Sequence, residues 1–231
     1  MTLAVVRMGG ILPELPASSA MARHDSPRKP SLAPGSTRTG IAAAAARLMA
    51  EDGITDYQQA KKKALRQLGL PEHTALPDNS EIDDELRAYR ALYQAAEHPA
   101  ILAAMRRSAL QLMEFLAAFR PYLTGSVLDG TAGEYSQIDL LLFADSAKEV
   151  EIFLLNHGID VQHANPRHDK VEAVLQIATD SADANLVILA PQLERVSFKQ
   201  RDGRPRARIR SDELRALLHT TAAAHSAAQD P

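Results

Sequence analysis

The sequence predicts an α+β fold: a helical N-terminal region followed by a small mixed sheet with flanking helices. Three observations carry this reading. Alanine and leucine supply most of the 45% apolar share, while aromatics make up 4% and Trp is absent, a composition that favours helix. Apolar residues recur at steps of three and four as far as Phe119. Beyond it, short apolar runs separated by Gly, Ser and Asp take over, which is the pattern of strands and turns.

Residues 1–38 hold five of the thirteen prolines and no hydrophobic period, and read as a disordered tail. The weakly apolar stretch from Met8 to Leu15 is interrupted by Gly9, Gly10 and Pro13, so it does not read as a signal peptide. An overlong start, with Met21 as the first natural residue, is the alternative. Residues 39–120 read as an α-helical region of about four helices. The first has Ile41, Ala44, Ala45, Leu48 and Met49 on one face and ends at Gly53. The second is capped by Thr55 or Asp56, buries Tyr57, Ala60, Ala64, Leu65 and Leu68, and stops at Gly69 and Pro71. Ser80 is the expected cap of the third, with Asp83 in the capping-box position and a stripe of Ile82, Leu86, Tyr89 and Tyr93. Pro99 suits the first turn of the fourth, whose stripe runs Leu102, Met105, Ala109, Leu112, Leu116 and Phe119 before Pro121 closes it.

Residues 121–225 form the second expected domain. Its strand candidates are Tyr122 to Val127, Ile138 to Phe143, Val171 to Ala178 and Leu186 to Ala190. Asp180 to Asp183 reads as a hairpin turn between the last two. Ser146 caps a helix that ends at Gly158, and a final helix starts near Asp212. There is no internal repeat.

Charge and composition exclude several classes. The net charge is −3, yet residues 1–38 carry +3, so the remainder carries −6. A body of that sign does not attract nucleic acid in bulk. With no cysteine there are no disulfides, thiolate zinc sites or cysteine nucleophiles, which fits a reducing, cytoplasmic setting. No apolar run reaches the roughly 18 residues of a membrane span. No Gly-Lys-Ser/Thr phosphate loop occurs, which excludes a P-loop ligase.

The most informative stretch is Leu123 to Phe143, LTGSVLDGTAGEYSQIDLLLF. Gly125-Ser126 is followed by ten residues, then by Gln137, Ile138, Asp139 and Leu140. This resembles the signature of the nucleotidyltransferase superfamily, which includes DNA polymerase β and the minimal bacterial nucleotidyltransferases. There an apolar residue and Gly-Ser precede a spacer of about ten residues and a carboxylate–apolar–carboxylate strand, with Gly130 matching an internal glycine. The whole chain also resembles proteobacterial proteins with a helical front and this module behind it. A Gly-Ser turn lets the backbone approach a triphosphate. Residues two apart on a strand share a face, so two carboxylates there can grip Mg²⁺ for in-line transfer. A third normally comes from a later strand.

The resemblance implies that Gly125, Ser126 and Gly130 hold the nucleotide and that Asp139 binds metal. Glu172, in a later strand candidate, is chosen as the third carboxylate, with a surface role as the alternative. Two positions depart from the pattern. Gln137 replaces the first carboxylate and is a poor Mg²⁺ ligand, and Asp129 stands where the family often has arginine. Asp139 capping or pairing locally beside a Gly-rich turn is the structural alternative.

Other constellations carry less. His157, His163 and His168 are too loosely spaced for a zinc site and read as loop histidines. Arg201 to Arg210 packs five arginines into ten residues. It could hold phosphates, but reads better as a linker or hairpin before the last helix, with no aromatic to stack bases. The first two helices resemble those of TetR-type regulators, but Lys61, Lys62 and Lys63 read as a solvated face.

The leading expectation is therefore Mg²⁺-dependent transfer of a nucleotidyl group from an NTP to an acceptor, handicapped by Gln137. The alternatives are a non-catalytic nucleotide- or protein-binding module of the same fold, whose helical region binds a protein partner or its own copy, and a helical DNA-binding regulator.

Overall fold

Three helices open the described chain: α1 (Pro34–Glu51), α2 (Tyr57–Gln67) and α3 (Asn79–Tyr93). The computed structural model describes residues 34–166, 169–199, 203 and 205–227. Most of the expected tail, together with His168, Arg201 and Arg204, lies outside these residues. Helix α1 starts at Pro34, ahead of the expected Thr39, so Pro34–Arg38 belongs to the helix. Proline suits a first helical turn, and Arg38 is anchored by Glu81 (Nε to Oε1, 2.8 Å) and Asp78 (Nη2 to Oδ2, 2.9 Å).

Asp56 caps α2 by accepting the Gln59 N–H at 2.8 Å. Helix α3 starts ahead of its expected cap. Asp78 takes the N-cap position, and its N–H donates to the Glu81 carboxylate at 2.5 Å. Asp83 is thereby released from the capping role assigned to it and accepts the Tyr57 hydroxyl at 2.5 Å. Ile41, Ala45, Ala60, Ala64, Ile82 and Leu86 pack these helices together.

The apolar face of α3 is rotated from the expected one. Ile82, Leu86 and Arg90 point inward, whereas Tyr93 is 68% exposed. The lysine triplet likewise does not form one solvated face. Lys61 is 4% exposed and donates to Asn79 Oδ1 at 2.8 Å, and Lys63 pairs with Asp52.

Helix α4 (His98–Phe115) belongs to the sheet rather than to the first three helices. Met105, Ala109, Leu112, Met113 and Leu116 enter the main core. The remaining elements are β1 (Tyr122–Thr124), α5 (Ser126–Asp129), β2 (Ile138–Phe143), α6 (Ala147–Asn156), β3 (Gln162–Ala164), β4 (Val171–Ala178), β5 (Asp183–Leu189), β6 (Arg208–Ile209) and α7 (Ser211–Ala227). Ser146 caps α6 through the Lys148 N–H at 3.1 Å. The sequence-predicted strand Tyr122 to Val127 is split: β1 ends at Thr124, and Ser126 already opens the short helix α5.

Among the described residues the strands form one six-stranded sheet in the order β3-β4-β5-β2-β1-β6. The β2–β5 pair is parallel and the other pairs are antiparallel. This is the α+β architecture with a mixed sheet that the sequence predicts. Strand alternation divides the side chains between two faces. Ile138, Leu140, Leu142, Ala184, Leu186 and Ile188 face the core shared with α4, α6 and α7. Tyr122, Leu141, Phe143 and Leu189 face the other way, with Leu193 and Phe198 packed over them. No described helix is long and apolar enough to cross a membrane.

Candidate functional site

The second face of the sheet also carries polar residues, and register lines them up. Gln162 is opposite Gln176, Gln176 opposite Asn185, Asn185 opposite Asp139, Asp139 opposite Thr124, and Thr124 opposite Arg208. One polar side chain from each strand thus lies on a row crossing the sheet. A row of this kind sets its cross-strand neighbours a few ångströms apart.

The centre of the row is tightly connected. Asn185 Nδ2 donates to Asp139 Oδ1 at 3.0 Å and to Gln137 Oε1 at 2.9 Å. Gln176 Nε2 donates to Asn185 Oδ1 at 2.9 Å. An amide has two N–H donors, and both protons of Asn185 are used here. On the far side of Asp139, Arg206 Nη2 lies 4.0 Å from Oδ2. Arg206 Nε donates to the Thr124 hydroxyl at 3.1 Å, and that hydroxyl donates to the Ala207 carbonyl at 2.8 Å.

The Gly125-Ser126 turn abuts this group. Gly125 has φ +75°, and a Cβ there would lie 2.5 Å from Asp139 Oδ2. Glycine is needed both for the left-handed backbone and for the close approach. Ser126 is half-buried, and its carbonyl accepts the Thr131 N–H at 2.9 Å and the Ala132 N–H at 3.0 Å. Gly130 ends α5, donating its N–H to the same carbonyl. The structure therefore brings Gly125, Ser126, Gln137 and Asp139 together.

Glu172 is not brought there. It sits in the irregularity between Val171 and Ala173, where β4 runs beside Leu189, the end of β5 remote from Asn185. Its carboxylate accepts the Ala147 N–H at 2.8 Å, so it serves the N-terminus of α6. On a later strand, the residue that reaches Asp139 is Asn185.

The Gly-rich loop after Ser126 is held from beneath by α3 and α4. Arg90 Nη1 donates to the Thr131 carbonyl, and His98 Nε2 lies 2.9 Å from the Ala132 carbonyl. Arg106 donates from Nε to the Val127 carbonyl at 3.1 Å and from Nη2 to the Leu128 carbonyl at 3.2 Å. Gly133 leaves room for this clamp, since a Cβ there would lie 2.5 Å from Arg90 Nη2. Desolvation lowers the pKa of both arginines and, helped by Arg90, that of His98. These clamp residues were not found from sequence, because an arginine in a helix is ordinarily solvated.

Asp129, at the end of α5, is a second carboxylate, next to the Gly-rich loop. Desolvation raises its carboxyl above the usual range, while Arg87 and Arg206 oppose the shift. Asp83 is raised by desolvation and by Asp129, against the hydrogen bond from Tyr57.

The donor set fits Mg²⁺ poorly. Mg²⁺ favours anionic oxygens in octahedral geometry. Here the Asn185 amide bridges one carboxylate, Asp139, and the amide of Gln137, and a guanidinium lies 4.0 Å from the other carboxylate oxygen. Among the described residues no three His, Cys, Asp or Glu side chains form a metal-holding group. His157 Nδ1 lies 2.7 Å from the Phe153 carbonyl, and His163 pairs with Glu151 at 3.0 Å.

The basic run folds back on the sheet. Lys199 and Pro205 form a bridge, and Arg208 sits over the Tyr122 ring at 4.8 Å from its centroid. Arg210 Nη2 pairs with Glu194 Oε1 at 3.0 Å. These arginines are engaged within the chain, in keeping with the hairpin reading. No family model, curated protein or solved structure matches the chain.

Proposed function

We propose that this chain is a cytoplasmic, nucleotidyltransferase-like binding protein, one that keeps a nucleotide-facing turn at Gly125-Ser126 but does not carry out metal-dependent transfer. One observation carries the reading: Asn185 Nδ2 bridges Gln137 Oε1 and Asp139 Oδ1 at 2.9 and 3.0 Å. The resemblance calls for three carboxylates at such a position, two on one strand and one from a later strand. The residues here are amide, carboxylate and amide. In-line nucleotidyl transfer depends on cations that neutralise charge on the transferring phosphoryl group, and a single carboxylate gives them little hold. The turn itself is retained, with glycine where the backbone demands it and Ser126 beside it.

Calorimetric titration of the four NTPs, with and without Mg²⁺, tests the proposal alongside a turnover assay. The expected result is nucleotide binding that Mg²⁺ does not strengthen, and no turnover. Mg²⁺-dependent turnover that disappears in Asp139→Asn would restore the transferase reading. Silence toward every nucleotide would remove the nucleotide from the proposal.

A further inference from the structure

We infer that the Arg206 guanidinium and the Asn185 amide take the place of a divalent cation at Asp139, so that the site is complete without metal. The inference rests on reading the Gly125–Asp139 face as the ligand face. The positions of the positive groups support it. Asp139 Oδ1 is reached by a partially positive N–H of Asn185 at 3.0 Å, and Oδ2 by Arg206 Nη2 at 4.0 Å. A metal ion at Oδ1 would have to displace the Asn185 bond, and one at Oδ2 would meet the positive charge of Arg206.

The charge of Arg206 also opposes the upward shift of the Asp129 carboxyl. The Arg206 guanidinium is a monovalent, non-exchangeable cation beside Asp139. It is held there by its Nε bond to Thr124 Oγ1 at 3.1 Å and by the Arg206 N–H to the Phe198 carbonyl at 2.7 Å. Gln137 completes the exclusion. Its carbonyl oxygen is the atom most able to help bind a cation, and it is occupied by Asn185.

The test uses Mn²⁺ alone on the full chain, read by calorimetry and by the change in Tm. Nucleotide is left out, so the outcome is independent of whether a nucleotide binds. The wild-type protein should show no saturable Mn²⁺ uptake and a Tm unmoved by Mn²⁺ or EDTA. The double substitution Asn185→Asp with Arg206→Met should show saturable Mn²⁺ binding where wild type shows none, and gain Tm on binding. That gain should vanish when Asp139→Asn is added.

Arg206→Met alone leaves the Asn185 bridge in place and gives a second arm should the double variant fold poorly; it should show a smaller gain in Mn²⁺ affinity. Saturable Mn²⁺ binding by wild type that is lost in Asp139→Asn would overturn the inference. So would folded single and double variants that stay as silent as wild type.

Discussion

The carboxylate of Asp139 fills the space that a side chain on Gly125 would need: an added Cβ would lie 2.5 Å from Oδ2. Asp139 cannot easily rotate away, because Oδ1 is bonded to Asn185. Gly125→Ala should therefore destabilise the protein by about 1–3 kcal/mol, combining left-handed backbone strain with the clash. In an Asp139→Ala background the clash is gone and only the backbone cost remains. Chemical denaturation of the four proteins of this cycle should show the double variant losing less stability than the two single losses added together. Equal costs in the two backgrounds would mean that the two residues do not press on each other.

Replacing Asn185 by Asp removes two donated hydrogen bonds and sets a second negative charge beside Asp139. We expect a loss of about 2–3 kcal/mol at neutral pH, most of it from the broken bonds and the like-charge contact. The loss should shrink on acidification, as one of the paired carboxylates takes up a proton. Asn185→Leu breaks the same bonds without adding charge, so its cost should vary far less between neutral and acid pH. Melting curves across pH distinguish the two.

Asp129 gives a pH dependence whose sign follows from its raised carboxyl. Its ionised form is disfavoured in the fold, so the cost is present at neutral pH. It is relieved as pH falls through the raised value toward the ordinary carboxylate range. Asp129→Asn should thus raise Tm at neutral pH, and the advantage over wild type should fade in acid. His98 acts in the opposite sense. Its pKa is lowered, so the fold disfavours its protonated form. Stability should be lost as pH drops below the ordinary histidine value, and His98→Gln should reduce that loss.

Arg90 is 5% exposed, and its Nη1 donates to the Thr131 carbonyl. Arg90→Met keeps the bulk and deletes the bond, leaving a buried carbonyl without this donor. The expected cost is about 1–3 kcal/mol. Hydrogen exchange should quicken first at Thr131 and Ala132, whose N–H groups donate to Ser126. Gly133→Ala should mimic this by forcing Arg90 aside. Unchanged exchange in the loop would mean that α3 does not hold it.

These outcomes depend on features that were legible in the sequence to different degrees. Strands β2 and β4 have the limits their apolar runs predict, and Ser146 and Gly158 bracket α6. Local chemistry was enough there. Strands β3 and β6 were missed because they lie at the sheet edges and hold Gln162, His163 and Arg208, with no apolar run to reveal them. The buried Arg90 was not singled out, and the expected stripe ran through Tyr89 and Tyr93 instead. The true partner of Arg90 is a loop carbonyl 41 residues away, and no periodicity encodes that. In the candidate site, Asp139 and Gly125 were singled out by the resemblance to the nucleotidyltransferase signature, and the structure places them side by side. Glu172 was chosen because a carboxylate was sought. Alternation in β5, with Ala184, Leu186 and Ile188 facing inward, puts Asn185 on the opposite face. Only strand register could then show that it meets Asp139.

The parallel pairing of β2 with β5 also bears on the order of assembly. Asn185 meets Asp139 across 46 residues, and Arg206 meets Thr124 across 82. Contacts of such span form late, since the intervening chain must first be ordered. A nascent chain that has emerged only as far as α6 holds the Gly-Ser bend and a bare Asp139, but nothing to neutralise it. The polar row at Asp139 is therefore complete only when synthesis has passed Arg206, and a product terminated before it would lack the groups that neutralise this carboxylate.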